Sequence, residues 1–228
     1  LNGGAGASGS TSDAIVRNLS GSQSVFASSV TLNGGHTQST TAILNLGTGT
    51  QTVSGSSGIL VQADPNLPLA HADSFVLIQN TPATDQFITG ALSLTNSGAG
   101  TVAVTTGGDQ LINARFVDVQ TAPGSSGDAS LAATGNQWIH TTLGSLSGDS
   151  TPGPVTGISL RVAAKGSGTA SVTAGASQLL ELDYPEQFTQ GSMGGTLMVG
   201  DAVAAGTSRV AAADQNIFAR SIVIQGPA

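Results

Sequence analysis

The sequence predicts an all-β chain of many short strands with Gly/Ser/Asn turns, wound as a β-helix-like solenoid or, as second choice, packed as a β-sandwich or jelly roll. Three observations predict it. First, one strand-like unit recurs: a polar residue, Gln, any residue, Ile or Val, any residue, Ala, then apolar residues two apart. It stands at residues 214–226, 22–34 and 109–120, with weaker copies at 85–94 and 136–146. Second, no amphipathic helix of even three turns can be drawn, and the stretch 202–213 is broken by Gly206-Thr207-Ser208. Third, Gly is 32 of 228 residues and charged residues are only 8%, against about a quarter in average domains. With 39% hydrophobic residues, the chain can bury a core, and its surface must be built from Ser, Thr, Gly, Asn and Gln.

Taken in order, residues 1–12 (LNGGAGASGSTS) are a Gly/Ser arm without periodicity. They hold a formal GxGxxG at 4–9, but no strand precedes it and no helix follows, so a dinucleotide site is not implied. If ordered, the arm is expected to contact a neighbouring chain. Strands are predicted at 14–17 and 24–32, the latter with Val30 and Leu32 on one face, before a turn at Asn33-Gly34-Gly35. Residues 41–46 form the next strand, which leads through Gly47-Thr48-Gly49 into 50–53. A turn at 54–58 precedes a strand at 59–61.

The run 42–55 (AILNLGTGTQTVSG) with Gly58-Ile59-Leu60-Val61, and the GTLMVG unit at 195–200, resemble the β-strand repeats of bacterial autotransporter-associated, surface-displayed proteins. The resemblance covers residues 12–62 and 194–228. It implies a right-handed parallel β-helix outside the cell and transfers no catalytic residues.

Residues 63–193 depart from that pattern. Pro65 and Pro68 mark a loop, and 74–79 is a nearly continuous apolar strand expected to be buried on both faces. Strands follow at 87–95 and 101–105. Segments 121–129 and 147–156 are the best loop or boundary candidates, which divides the chain into an arm (1–12) and β regions at 13–121 and 122–228, the second continuous with the first or a separate domain. Further strands are expected at 158–163 and 169–173, while 177–184 (SQLLELDY) fits a helical turn or a strand. The recurring glutamines, Gln23, Gln86, Gln110, Gln137 and Gln215, lie 63, 24, 27 and 78 residues apart, whereas a strict solenoid keeps a steadier period of about 20–30.

Charge excludes several functions. The net charge is −7 with six Lys and Arg, so no basic stripe exists to displace counterions from nucleic acid, and an anionic membrane would repel the chain. No apolar run approaches the roughly 18 residues of a spanning helix, and the aromatic girdles of a membrane β-barrel are missing. Without Cys, disulfides and thiolate metal sites are impossible. The chain opens at Leu1 with no charged and apolar leader pattern, which reads as a processed end or as the boundary of a truncated chain.

Candidate chemistry is sparse. In a strand, Glu181 and Asp183 point the same way about 7 Å apart, and with Glu186 they form the acid cluster that glycoside chemistry requires; a solvated strand edge explains them as well. Single acids beside glycines (Asp109, Asp128, Asp149, Asp201) leave Ca²⁺ as the one cofactor to consider, although an ordinary turn accounts for them. His36, His71 and His140 are scattered, and no HExxH or GxSxG occurs. Trp138 is either a core residue or an anchor for a sugar or an interface. Asn18-Leu19-Ser20 is a formal glycosylation sequon. Arg115 and Arg220 occupy the same position in two copies of the unit, and Arg17 a comparable one, which suggests paired basic positions.

These readings lead to an expected function: a non-enzymatic extracellular or cell-surface structural protein that self-assembles into a layer, filament or adhesin-type stalk, with a surface glycan as a further partner. Strand edges poor in Lys favour strand addition between copies. The assembly strand is assigned to Gln215, Ile217, Phe218, Arg220, Ile222 and Ile224, with the three isoleucines buried. The alternatives are a virion protein with a capsid, decoration or tail β-sandwich, and a polysaccharide-active β-helix.

Overall fold

The computed structural model describes residues 1–2, 13–35, 38–63, 73–142, 146–148, 155–183, 195–201 and 205–226. Among these residues there are twenty strands: β1 (Ala14–Asn18), β2 (Gln23–Gly34), β3 (Thr40–Asn45), β4 (Gln51–Ala63), β5 (Phe75–Asn80), β6 (Gln86–Thr89), β7 (Leu92–Asn96), β8 (Thr101–Thr106), β9 (Gln110–Ala114), β10 (Val117–Thr121), β11 (Asp128–Ala133), β12 (Gln137–Thr141), β13 (Leu146–Gly148), β14 (Val155–Ala164), β15 (Thr169–Ala174), β16 (Ser177–Leu182), β17 (Thr196–Val199), β18 (Thr207–Ala211), β19 (Asp214–Phe218) and β20 (Ser221–Ile224).

Among the described residues pairing is parallel, except where β13 folds back on β14. One sheet runs β1-β3-β5-β8-β11-β15-β18. The other is bent into two ladders that share β2 and β4: the first half of β4 leads to β6-β9-β12-β16-β19, and its second half to β7-β10-β14-β17-β20. Each circuit therefore lays one strand on each of three ladders, and the seven-stranded sheet counts seven circuits. Of the two architectures open from sequence, the structure takes the solenoid. The ladders run unbroken across residue 122 through the β10–β14, β8–β11 and β9–β12 pairings.

Strand alternation sends every second side chain inward, and the parallel register stacks like on like. On the second ladder Val53, Ile88, Ile112, Ile139 and Leu180 form one buried column. On the third, Ile59, Leu92, Val117, Leu160 and Leu197 form another. The first ladder contributes Ile43, Ile78, Val104, Leu131 and Val172. Each such side chain contributes about 1.5–3 kcal/mol when fully buried.

Beside these columns stands a buried ladder of amides. Gln215 donates to Gln178, Gln178 to Gln137, Gln137 to Gln110, Gln110 to Gln86, Gln86 to Gln51 and Gln51 to Gln23, each through Nε2 to Oε1 over 2.5–2.7 Å. The recurring Gln is thus an inward residue that is satisfied by its own copies. Gln51 and Gln178 fill the gaps in the sequence series, and the true intervals are 28, 35, 24, 27, 41 and 37 residues. The circuits differ in length while their core positions stay aligned. A shorter run, Asn18 to Asn45 to Asn80, guards the corner between the first two ladders.

Several local expectations change. The turn expected at 54–58 is a corner within one strand, β4, whereas the single strand expected at 87–95 is cut into β6 and β7 at Gly90. The two features stack: Gly90 has φ +124, and a Cβ there would stand 2.1 Å from the Gly55 carbonyl oxygen. Asn33-Gly34 does not turn back but ends β2, with Asn33 receiving the Gln62 amide. β5 is buried on one face only, with Val76 and Ile78 inside and Phe75 exposed. Residues 177–182 are strand β16. Leu1 and Asn2 pair with β2; residues 3–12, the rest of the arm, lie outside the described residues, as do His36, Pro65, Pro68, His71, Asp149 and Glu186.

Candidate functional site

Because Gln points inward on the second ladder, the residue after it points outward. Phe87, Leu111, Trp138 and Leu179 are that residue in four consecutive circuits and stand in register. Neighbouring strands are about 4.8 Å apart, so the four side chains make one continuous apolar strip. Trp138 belongs to this outer surface, not to the core, and is 44% exposed. The next outward column carries Thr89, Asn113, His140 and Glu181. Glu181 reaches across to Trp138, whose indole Nε1 donates to Oε2 over 2.8 Å, and the same oxygen lies 3.5 Å from His140 Nδ1. This fixes the indole edge, in a side chain flanked in register by Leu111 and Leu179 and 44% exposed.

On the other side of the strip, Asp85, Asp109 and Asn136 edge a cleft of about 220 Å³ whose floor includes Phe87, Leu111 and Trp138. Asp109 Oδ1 accepts the Asn136 backbone N–H at 2.7 Å and its side-chain amide at 3.2 Å. In the same way Asp128 Oδ1 accepts the Thr169 N–H and Asp13 Oδ1 the Thr40 N–H. Two of the Gly-Asp pairs weighed for calcium thus fasten one circuit to the next. Among the described residues, no cluster of three or more His, Asp or Glu gathers as a metal site.

The acid pair expected from strand alternation does not form. β16 ends at Leu182, and Asp183 turns with φ +53. Its carboxylate accepts the Ser159 hydroxyl at 2.7 Å and the Thr141 hydroxyl at 3.3 Å, while Glu181 faces Trp138 on the outer surface. Asn18, of the formal sequon, spends its amide on Asn45 and the Gly21 carbonyl.

Arg115 and Arg220 do sit at equivalent corners, just after β9 and β19, but several circuits apart; Arg17 lies on the first ladder. None of the three forms an ion pair among the described residues. The basic residue that does was not singled out from sequence. Arg161 Nε and Nη2 hold the two Asp118 oxygens at 2.8 and 2.6 Å, in register on the third ladder. Burial works against the Arg161 charge, but the hydrogen bond and attraction of Asp118, with Asp201 nearby, outweigh it and raise its pKa above the ordinary arginine value. Asp118 is the residue that a search for outward partners of Arg161 in the adjacent copy would have found.

The assigned assembly strand falls on β19 and β20, the outermost strands of the described sheet at one edge. Gln215 ends the amide ladder, and Ile217, Ile222 and Ile224 continue inward columns through Leu180, Leu197 and Val199. They are in a sheet as expected, but Ile222 and Ile224 are 52% and 79% exposed, since no strand among the described residues pairs with the outer edge of β20. Phe218 is exposed on the outer column beside Glu181, and Arg220 is tied by its backbone N–H to Gly195. No helix among the described residues is long and apolar enough to cross a membrane. Compared with known families, characterised proteins and solved structures, the chain matches none.

Proposed function

We propose that the protein is a non-enzymatic, extracellular structural solenoid that associates end to end with copies of itself in a surface layer, filament or adhesin-type stalk. The observation that carries this reading is the exposure of inward columns at both ends. At one edge of the described circuits Ile222 and Ile224 are 52% and 79% exposed; at the other Val16, in the column of Ile43 and Ile78, is 43% exposed. The two outer edges are complementary, since a parallel ladder presents at one edge the hydrogen-bonding pattern that its other edge accepts. Gln215 offers its Oε1 in the sense in which Gln178 offers its own to Gln215. A contact between unlike ends does not close on itself and propagates as a fibre.

Sedimentation velocity with negative-stain microscopy tests this. The intact chain is expected to form concentration-dependent rods, and Ile222→Glu/Ile224→Glu to remain monomeric with an unchanged β-sheet circular-dichroism spectrum. An intact chain that stays monomeric at high protein concentration overturns the proposal.

A further inference from the structure

We infer that the outer face of the second ladder is a binding site for a neutral polysaccharide, with Trp138 as its stacking platform. The strip has the mixed character that pyranose rings require. Their C–H faces are apolar and pack on aromatic and aliphatic surfaces, and Phe87, Leu111 and Trp138 supply such a floor across three adjacent circuits. Their hydroxyl edges need hydrogen-bonding partners, and Asp85 stands on one side of the strip with His140 on the other; the Asn136 amide is already committed to Asp109 and the Ser177 N–H. The indole edge is held by Glu181 before any ligand arrives, so little ordering is needed on binding.

Charge selects the class of glycan. Neither outward column of this ladder contains Lys or Arg from β6 to β19, and the rim is acidic. An anionic polysaccharide, a nucleic acid or an acidic lipid surface would be repelled; a neutral chain is not. The dimensions oppose a protein partner. A stable protein interface covers about 800 Å² on each side, whereas this strip offers four side chains of which Phe87, Leu111 and Leu179 are largely covered, beside a cleft of about 220 Å³. A chain of sugar rings lying along the stacked circuits fits that form. The site is on a lateral face and is independent of the end-to-end association proposed above.

Trp138 is the sole Trp of the chain and therefore reports on the site without a label. The intact protein is titrated with soluble β-glucan, xylan and galactomannan, with polygalacturonate as the anionic control and an apolar peptide as the protein-like control. A saturable change in Trp fluorescence is expected with at least one neutral polysaccharide and with neither control. In pull-down on the insoluble form of that polysaccharide, Trp138→Ala is expected to lose at least tenfold in binding, Phe87→Ala several-fold, and Trp138→Phe to retain part. Glu181→Gln is expected to weaken binding a few-fold with an unchanged melting temperature. The monomeric end variant is expected to bind as the intact chain does. Absence of any response to the neutral polysaccharides, a stronger response to the peptide, or full binding by correctly folded Trp138→Ala overturns the inference.

Discussion

The middle circuits and the last one place the same residue types in the same columns, yet only the middle ones bury them. Ile112 and Ile139 are fully enclosed; Ile217, two circuits beyond Ile139 in the same column, is only half covered. Val117 and Leu160 are inaccessible, whereas Ile222 in their column is half exposed. The difference teaches that in this fold burial is conferred by the neighbouring circuit, not by a residue's own strand. Stability is therefore a sum of contacts between neighbours, and a substitution should cost according to how many circuits flank it.

The sharpest break is expected at the buried ion pair of the middle circuits. Asp118→Ala removes the bidentate partner of Arg161, with Asp201 left as the nearby acid, and should destabilise by about 3–5 kcal/mol, the range for breaking a buried ion pair from one side, seen as a lower urea midpoint. Next, Ile112→Ala should cost about 2–5 kcal/mol through lost transfer energy and the cavity left behind, while Ile224→Ala at the open end should stay within about 0.5 kcal/mol. Equal costs for these two would dissolve the comparison. Smaller still, Gln137→Ala leaves the Oε1 of Gln110 and an N–H of Gln178 buried without each other's relay, at about 1–3 kcal/mol; Gln215→Ala removes one link at a wetted end and should cost less than about 1 kcal/mol. Thermal melts of the two variants side by side check this ranking.

Much of the architecture was legible in the sequence, and what was not has specific causes. Five of the seven ladder glutamines were found because each is followed two residues on by Ile or Val, and four of the five are preceded by Asp or Asn. Gln51 escaped because it follows Gly47-Thr48-Gly49, and Gln178 because SQLLELDY also suits a helical turn. Their absence stretched the apparent period and made a solenoid look irregular. A polar side chain is ordinarily assigned to the surface, so the inward placement of Gln was not foreseen. With it went the parity of the strand, and the outward strip Phe87, Leu111 and Leu179 beside Trp138 stayed hidden. Register across circuits is what brings Asp118 to Arg161 and Trp138 to Glu181, 43 residues away in each case, and no local pattern encodes it. The Glu181/Asp183 pair failed for a smaller reason: alternation holds only while the strand lasts, and β16 stops between them.

The column of glutamines has a consequence for how the circuits find one another. A slip of one residue between neighbouring strands exchanges inside for outside and is forbidden by hydrophobicity alone. A slip of two is not, because Ile, Val and Leu two positions apart are interchangeable as oil. Against that error the aliphatic columns are mute, and only the amide can object. Shifted by two, Gln178 meets Ile139 in place of Gln137, and each stranded amide costs about 1–3 kcal/mol. The glutamine is the tooth of a ratchet wound around the axis: it lets circuits of 24 to 41 residues engage at one notch, whatever length of chain is paid out between them.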